Sequence, residues 1–261
     1  PGALSAPGEF AIEATDITKA YGAILALDGV NFRAAAGRVT ALLGENGAGK
    51  STLMRILAGE TIADSGQIVV RGTPVRLRSP RDARHHGIAL IHQELSLFPD
   101  LSVAANIFAG REYRRGAVID DRKHLALATR ILARLDRRVD PRVLARSLSV
   151  GQQQVVEIAK ALVDDARVVI MDEPTSALSN AEVDALFAII RDLTSRNVAV
   201  IYISHRMDEI FRIADDLVVF RDGRTIASAA ARDVNMEWIS EHMLGSKERL
   251  ALRQMSTARP Q

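Results

Sequence analysis

The stretch 44–51 constrains the fold more than any other part of this 261-residue chain. It reads Gly-Glu-Asn-Gly-Ala-Gly-Lys-Ser and matches the phosphate-binding pattern G-x-x-x-x-G-K-S/T at every fixed position. An apolar run at 39–43 precedes it, and Leu53, Ile56 and Leu57 follow at helical spacing. Because the motif requires a strand before the loop and a helix after it, this context favours a nucleotide-binding α/β fold over a chance glycine-rich turn.

The residues of this stretch suit a phosphate site for separate chemical reasons. Glycines let the backbone turn its N–H groups toward an anion, and side chains there would block the phosphate. We expect Lys50 on the β- and γ-phosphates of ATP and the Ser51 hydroxyl on Mg²⁺. The helix that follows would point its positive N-terminus at the phosphates and end near Gly59. The expected nucleotide contacts are Gly44, Glu45, Asn46, Gly47, Ala48, Gly49, Lys50, Ser51 and Thr52.

The composition excludes several classes of protein. The chain has no cysteine, so disulfides and cysteine-ligated zinc sites are excluded. Its formal net charge is only +2, and the basic excess lies in scattered arginines rather than a block, so nucleic-acid binding is not indicated. No uninterrupted apolar run approaches the roughly 20 residues of a membrane span.

Short apolar runs predict two kinds of strand. Segments at 10–14, 26–32 and 66–78, bounded by turn residues, predict a small antiparallel sheet beside the phosphate-binding stretch. Continuous apolar runs predict buried parallel strands in a sheet that helices cover on both faces. A region of helical spacing at about 100–163 predicts a second lobe, in which 111–116 forms a solvated loop. The predicted parallel strands after 39–43 are 88–91, 168–171, 198–203 and 217–220.

Two acidic residues end the apolar run that begins at Val168. Buried sheets tolerate adjacent acids such as Asp172 and Glu173 only at a strand end, where ligands bind. We expect Asp172 to hold Mg²⁺ through water and Glu173 to take the proton from the attacking water. The alternative is that both acids simply cap the segment that starts with Pro174.

A second anion site is predicted at the start of another helix. Ser149, Gly151 and Gln152 precede the apolar positions Val155 and Ile158, and a helix that begins at Ser149 presents a hydroxyl and free N–H groups. Since the two anion sites lie in different lobes, the simplest account is that each chain's second site serves the nucleotide of another chain.

Tyr21 is a candidate contact for the base of the nucleotide. It lies beside Gly22, between two of the short predicted strands. An exposed aromatic ring at this position would stack on an adenine ring. Packing of the ring on its own sheet is equally compatible with the sequence.

These motifs also occur in a familiar order. The phosphate-binding stretch is followed by Gln93, the signature Leu-Ser-Val-Gly-Gln at 148–152, the acidic pair, Ser-Ala-Leu-Ser at 176–179 and His205. In this order they resemble the ATPase subunit of ABC transporters over about 10–245. The stretches LSVGQQQVVEIAKAL, IMDEPTSAL and YISHRMDEIF are similar to those of the carbohydrate importers of the ribose, galactose and xylose type.

The resemblance implies a P-loop NTPase fold of ABC type. Helices would cover a parallel core sheet, to which an antiparallel β subdomain and a helical subdomain at about 100–163 are attached. The nucleotide-binding domain would span 10–245, with a disordered leader at 1–9 and a tail at 246–261. Because importers of this type usually carry two such domains in tandem, an excised N-terminal half is the leading interpretation, and a single domain that homodimerises is its rival.

The resemblance also implies roles for individual residues. Gln93 would touch Mg²⁺ and the attacking water, and His205 would hold the γ-phosphate and Glu173 in register. The residues that would contact ATP bound to a second nucleotide-binding domain are Ser149, Gly151 and Gln152.

Two positions depart from the family pattern. Val150 replaces the glycine usual in the signature, a change that the sugar importers tolerate. Ser179 stands where many members have aspartate, which puts the communication role of this loop across the dimer in doubt. Its role as a helix cap is intact, since Ser179 and Glu182 form the pattern of a capping box.

As function, the resemblance implies ATP binding and hydrolysis that power the import of a sugar through a membrane permease. Two nucleotide-binding domains would close head to tail around two ATP molecules, and a sugar-binding protein would act as an indirect partner. The subunit would lie in the cytoplasm, peripheral on the inner face of the cell membrane, with no nucleic acid as partner. The alternatives are a soluble ABC ATPase acting on the ribosome or nucleic acid, and a regulatory ATP-binding domain without hydrolysis, which Glu173 and His205 disfavour.

Overall fold

The computed structural model describes residues 10–163 and 165–243, and the predicted leader at 1–9 and tail at 246–261 lie outside them. Strands and helices alternate over much of this part of the chain. The strands are β1 Phe10–Tyr21, β2 Ile24–Ala35, β3 Val39–Leu43, β4 Ser65–Val70, β5 Thr73–Val75, β6 Ile88–Ile91, β7 Arg114–Arg115, β8 Val118–Ile119, β9 Val168–Asp172, β10 Ala199–Ile203, β11 Asp216–Arg221 and β12 Arg224–Ala230. The α-helices are α1 Lys50–Leu57, α2 Pro80–His85, α3 Val103–Ile107, α4 Asp121–Leu135, α5 Val150–Leu162, α6 Asn180–Ser195, α7 Met207–Ile213 and α8 Met236–Met243.

Six strands form the central sheet in the order β12-β11-β3-β10-β9-β6. The five strands from β11 to β6 run parallel, and β12 joins one edge as the antiparallel partner of β11. The parallel strands lie at the continuous apolar runs, because strands buried on both faces need apolar side chains at every position. This sheet confirms the predicted α/β class.

A second sheet is antiparallel and has the order β2-β1-β4-β5. It lies where short strands were predicted, but β1 is longer than the predicted 10–14, because register irregularities let its pairing with β2 continue where strict alternation is lost. Ile17 of β1 and Leu27 of β2 share one hydrophobic cluster with Leu53 of α1 and Ile201 of β10. Helix α1 therefore packs against both sheets, which fixes the position of the stretch that precedes it.

The helical region packs on the other face of the central sheet. Phe108, Leu132 of α4 and Ile158 of α5 share a second hydrophobic cluster with Met171 of β9. Within this region, the segment predicted as a solvated loop at 111–116 instead contributes β7 to a two-stranded ribbon with β8. Two strands of two residues each are too short to show a period of two in the sequence, so the ribbon could not be predicted.

Side-chain caps define several helix starts. Ser149 begins α5 and Ser179 begins α6, each through a capping box, and the Asn235 side chain accepts from the Trp238 N–H of α8 over 2.9 Å. Helix α2 was not predicted, although Ser79 caps it and Pro80 is its first residue. The longest described helix, α6, has 16 residues, and no helix in 10–163 or 165–243 has the length and apolarity needed to cross a membrane.

Candidate nucleotide-binding and hydrolysis site

The carboxyl ends of four neighbouring strands meet at one edge of the central sheet. Ile203 of β10 is in register with Leu42 of β3 on one side and with Asp172 of β9 on the other. Ile91 of β6 is in register with Met171 of β9. The segments that leave the sheet at this edge contain the stretch 44–51, His205, the acidic pair and Gln93.

Close backbone approaches explain two glycines of the phosphate-binding stretch. Gly44 has a φ of 151°, and a Cβ atom there would collide with the carbonyl oxygen of Phe220. Gly49 has a φ of 98°, and its Cβ would lie 2.7 Å from the carbonyl oxygen of Ala26. Glycine at these positions therefore serves packing against β11 and β2 in addition to leaving room for a phosphate.

Helix α1 begins at Lys50, with Gly49 as its N-cap and no side chain bonded to its first-turn N–H groups. Helix starts of this kind bind anions. Lys50 Nζ donates to the carbonyl oxygens of Gly44 over 2.7 Å and of Glu45 over 2.9 Å. Burial lowers the pKa of Lys50, and the nearby carboxylates, Glu173 first, oppose that shift. The Lys50 side chain therefore reaches back across the phosphate-binding stretch, and its positive charge lies near the carboxylates of Glu173 and Asp172.

Asp172 ends β9 in a half-buried position. Burial raises the pKa of its carboxyl, and the negative charge of Glu173 raises it further. His92 and Lys50 act in the opposite direction. The ionised form of Asp172 is thus disfavoured unless another positive charge is close.

The residues at this edge fit a magnesium ion. Ser51, Gln93 and Asp172 offer a hydroxyl, an amide oxygen and a carboxylate, which are the hard oxygen donors that Mg²⁺ accepts. The raised pKa of Asp172 is a separate observation that agrees with a magnesium site, because a divalent cation would supply the positive charge that stabilises its ionised form.

Glu173 has an unusual backbone for a residue other than glycine, with a φ of 46°. Such a conformation costs on the order of 1 kcal/mol and persists where the surroundings hold it. Here the Glu173 N–H donates to the carbonyl oxygen of Ile203 over 2.9 Å. Its Oε1 lies 3.2 Å from Nδ1 of His205, whose side chain is 73% exposed. The Glu173 side chain therefore contacts the histidine rather than capping the segment after Pro174.

Glu209 of α7 connects the segments that carry these two residues. Its side chain is fully buried, and Oε2 accepts from Thr175 Oγ1 over 2.7 Å, Tyr202 OH over 2.8 Å and Ser204 Oγ over 3.2 Å. Arg206 Nη1 lies 2.8 Å from the other carboxylate oxygen. Since Thr175 and Ser204 are close in sequence to Glu173 and His205, one carboxylate holds both segments.

No sequence pattern identified Glu209 as a functional residue. The one feature of the sequence that could have pointed to Glu209 was its position as an acid beside the apolar residues Ile210 and Ile213, which are buried in α7. Burial, followed by the charge of Glu209, raises the pKa of the Tyr202 hydroxyl, so this tyrosine stays a hydrogen-bond donor to Glu209.

Gln93 lies exposed, two residues beyond β6. It precedes a loop that Asn106, fully buried on α3, fixes in place. Asn106 Nδ2 donates to the carbonyl oxygens of Phe98, Leu101 and Ser102, and its Oδ1 accepts from the Phe98 N–H over 2.7 Å. The side chains of Phe98 and Leu101 nevertheless stay 57% and 42% exposed.

The signature residues group at the start of α5. Ser149 Oγ accepts from the Gln152 N–H over 3.3 Å, and Gln152 Oε1 accepts from the Ser149 N–H over 3.1 Å. The Ser149 hydroxyl and the Gly151 N–H also donate to Oε1 of Glu182, each over 3.1 Å. Within the described part of the chain, these hydrogen bonds do not reach the stretch 44–51. The structure therefore brings the three signature residues together without joining them to the phosphate-binding stretch.

Tyr21 is the last residue of β1 and is 47% exposed. Lys19 Nζ lies 5.5 Å from the centre of its ring. The ring is outside the hydrophobic cluster of its sheet, so it is accessible to a planar ligand, and adenine stacking stays a prediction.

The glycine-rich loop at the end of β3, followed by a helix and flanked by strand-end acids, defines a P-loop nucleotide-binding domain. The chain belongs to the ABC transporter family, which matches residues 27–176. This membership confirms the resemblance that the order of motifs indicated.

The most informative relatives are sugar-import proteins. The chain is 50% identical over 246 residues to the ribose import ATP-binding protein RbsA of Rhodopirellula baltica, a match that covers 94% of this chain and 48% of that protein. It is 50% identical over 229 residues to a putative ribose/galactose/methyl galactoside import ATP-binding protein of Burkholderia cenocepacia, covering 88% and 45%. The chain thus spans about half the length of the curated relatives it matches.

Solved structures share the fold. The crystal structure of a nucleotide-free ATP-binding cassette from an ABC transporter has a TM-score of 0.79 and 26% identity to this chain. The match covers 91% of this chain and 96% of that cassette, which confirms the predicted ABC-type fold.

Proposed function

We propose that this chain binds and hydrolyses ATP with Mg²⁺, and that it is one of two nucleotide-binding domains that close around the nucleotide. The contact between Glu173 and His205, at the same sheet edge as Asp172 and the stretch 44–51, carries the proposal. A domain that only binds ATP needs the phosphate-binding loop but not a carboxylate paired with a histidine beyond it. We assign this role to 10–245, with 100–163 as its helical subdomain.

The residues of the site divide the work of hydrolysis. Lys50 exchanges the two carbonyl oxygens it now contacts for phosphate oxygens, and the N–H groups at the start of α1 add further donors. Glu173 accepts the proton of the attacking water, and His205 keeps that carboxylate oriented. When bound, Mg²⁺ neutralises the charge that develops on the phosphates. Ser51, Gln93 and Asp172 would hold it.

A second domain completes the site in this proposal. Ser149, Gly151 and Gln152 offer an anion-binding helix start that is not bonded to the chain's own phosphate-binding stretch. Removing one preorganised donor from a transition state costs about 10²- to 10³-fold in rate, and an isolated domain lacks the whole set. The second domain is either a tandem half of the same protein or another copy of this chain.

The transported substrate is a sugar in this proposal, on the ground that relatives 50% identical to the chain are named as ribose or galactose import ATP-binding proteins. Import requires a membrane permease and a sugar-binding protein as partners, and the domain would act in the cytoplasm on the inner face of the membrane. The exposed Phe98 and Leu101, on the loop that Asn106 fixes near Gln93, suit an apolar contact with the permease.

The decisive test of hydrolysis is Glu173→Gln. The amide keeps the size of the side chain but cannot take a proton from water, so we expect kcat to fall by about 10²- to 10⁴-fold. ATP binding should persist, and an ATP-bound dimer should accumulate. Phosphate release and size-exclusion chromatography with light scattering measure the two effects.

A matched control for this variant is Glu237→Gln, which removes one exposed acid from the first turn of α8. It should leave turnover and dimerisation unchanged. Undiminished hydrolysis in Glu173→Gln would contradict the assignment of Glu173 as the base.

A further inference from the structure

The carboxylate of Glu182 lies at the anion-binding start of α5. Its Oε1 accepts from the Ser149 hydroxyl and from the Gly151 N–H, each over 3.1 Å. Its Oε2 accepts from the Ser179 hydroxyl over 2.8 Å and from the Ser179 N–H over 3.0 Å. One carboxylate thus joins the signature to the first turn of α6, which follows the segment that begins at Glu173.

These hydrogen bonds use the same donors that a phosphate would need. The Ser149 hydroxyl and the Gly151 N–H each have one hydrogen, and both point at the Glu182 carboxylate. A Cβ atom on Gly151 would lie only 2.5 Å from Glu182 Oε1, so the carboxylate fills the space beside that glycine. Because two anions repel each other at contact distance, a γ-phosphate and this carboxylate cannot occupy the position together.

We propose that Glu182 is an internal competitor for the partner's nucleotide: its carboxylate occupies the signature anion site until a γ-phosphate displaces it. This inference rests on the proposed function, since it needs a nucleotide that reaches the signature from a second domain. Displacement breaks the two bonds to α5 and leaves the two bonds to Ser179. The signature and the loop before α6 are therefore coupled when the site is empty and separate when it is filled.

The coupling bears on the unusual serine at position 179. In many family members an aspartate here is expected to serve communication across the dimer, a role that Ser179 puts in doubt. Ser179 both caps α6 and donates twice to Glu182. Through Glu182, Ser179 is linked to the signature, so displacement of the carboxylate would be transmitted to the loop before α6.

The test is Glu182→Gln in the Glu173→Gln background, where hydrolysis does not limit dimer lifetime. Glutamine at the third position of a helix still completes a capping box, so α6 keeps its cap while the negative charge is lost. With a weaker competitor on the signature, we expect the ATP-dependent dimerisation Kd to fall by about tenfold. Analytical ultracentrifugation at saturating ATP measures it, and equal thermal unfolding temperatures would show that both proteins are equally folded.

The matched control is Glu237→Gln in the same background, which removes an acid from the first turn of α8 and should leave the Kd unchanged. An unchanged or higher Kd for Glu182→Gln would overturn the inference. If the Glu173→Gln parent formed no ATP-driven dimer, either with itself or with the second nucleotide-binding domain of a tandem protein, the proposed function would be overturned and this inference with it, so the two failures are distinguishable.

A second measurement tests the contact itself without a dimer. In the nucleotide-free chain, the amide resonance of Gly151 should shift with pH as Glu182 protonates, and Glu182→Gln should abolish that response. The midpoint should lie below the ordinary value for a glutamate, because hydrogen bonds from Ser179, and then from Gly151, lower the pKa of Glu182. A Gly151 amide that is insensitive to this titration would overturn the inference.

Discussion

At the scale of single residues, Asp172 illustrates a conflict between stability and function. Its raised pKa shows that the folded, nucleotide-free protein holds the ionised carboxylate at a cost, first through burial and then through Glu173. Asp172→Asn keeps the shape and removes the charge. We expect this variant to unfold at a higher temperature than the parent at pH 7.5 without nucleotide, and to lose at least about 100-fold in kcat with Mg²⁺ and ATP.

The pH dependence of this difference has a defined sign. A carboxyl whose pKa is raised on folding binds protons more tightly in the folded state, so the stability cost is full above the raised pKa and is lost as the pH falls toward the ordinary value of 3.8. The advantage of Asp172→Asn should therefore shrink on acidification. An advantage that grows as the pH falls would contradict the assignment, and thermal unfolding at several pH values decides it.

Some contacts of single residues could not be predicted from the sequence. The expected roles of Lys50 and Asp172 follow from two separate motifs, each with local spacing. The contacts of Glu182 with Gly151, and of Asn106 with Phe98, depend on how separate segments meet, so composition and periodicity carry little information about them. Tertiary partners, not residue type, give these side chains their function.

At the scale of elements, α7 serves as a brace between β9 and β10. Glu209→Ala would leave the Tyr202, Thr175 and Ser204 hydroxyls without their buried acceptor, at a cost of about 3 kcal/mol. The expected fall in the unfolding temperature is roughly 6–12 °C for a chain of this size. Because the two segments would shift relative to each other, kcat should fall while the KM for ATP changes little.

Glu209→Gln separates a positioning role from a purely structural one. The amide oxygen still accepts hydrogen bonds, so it should recover part of both the unfolding temperature and kcat. A loss of stability with unchanged kcat at a temperature where the variant is folded would contradict the positioning role.

Elements were predicted best where their signal is local. The five parallel strands and the caps of α5 and α6 follow from continuous apolar runs and from serine at helix starts. The part of β1 beyond residue 14 was not predicted, because its irregular register interrupts the alternation of apolar and polar residues. The ribbon of β7 and β8 was not predicted, because strands of two residues are too short to show that alternation.

At the scale of the whole molecule, basic side chains are concentrated at one place on the surface. The arginines at 76, 78, 81, 84 and 111 line one open cleft of about 1200 Å³ together with Asp82, His85 and His86. The sequence interpretation of scattered basic charge therefore does not hold for 76–84, where four arginines lie within nine positions and face one cleft. A net charge of +2 conceals this local concentration, which attracts anions over distances set by the salt concentration.

The proposed permease contact is testable at this scale. Phe98 is exposed on a fixed loop, and truncating a well-packed aromatic at an interface costs about 2 kcal/mol, or roughly 30-fold in affinity. Phe98→Ala should reduce binding to the permease, measured in reconstituted membranes, while the ATPase activity without permease stays unchanged. Val118→Ala, at a 70% exposed position on the ribbon, is the matched control. Equal permease binding by both variants would exclude Phe98 from the interface.

The contacts of Lys50 have a thermodynamic consequence for nucleotide binding. The ammonium group already satisfies two of its hydrogens within the chain, through the carbonyl oxygens of Gly44 and Glu45. For Lys50, binding is therefore an exchange in which one set of acceptors replaces another, and the contribution of this lysine to the binding free energy is the difference between the two sets. Because the chain itself supplies these acceptors, the Lys50 ammonium group keeps hydrogen-bond partners when no nucleotide is bound.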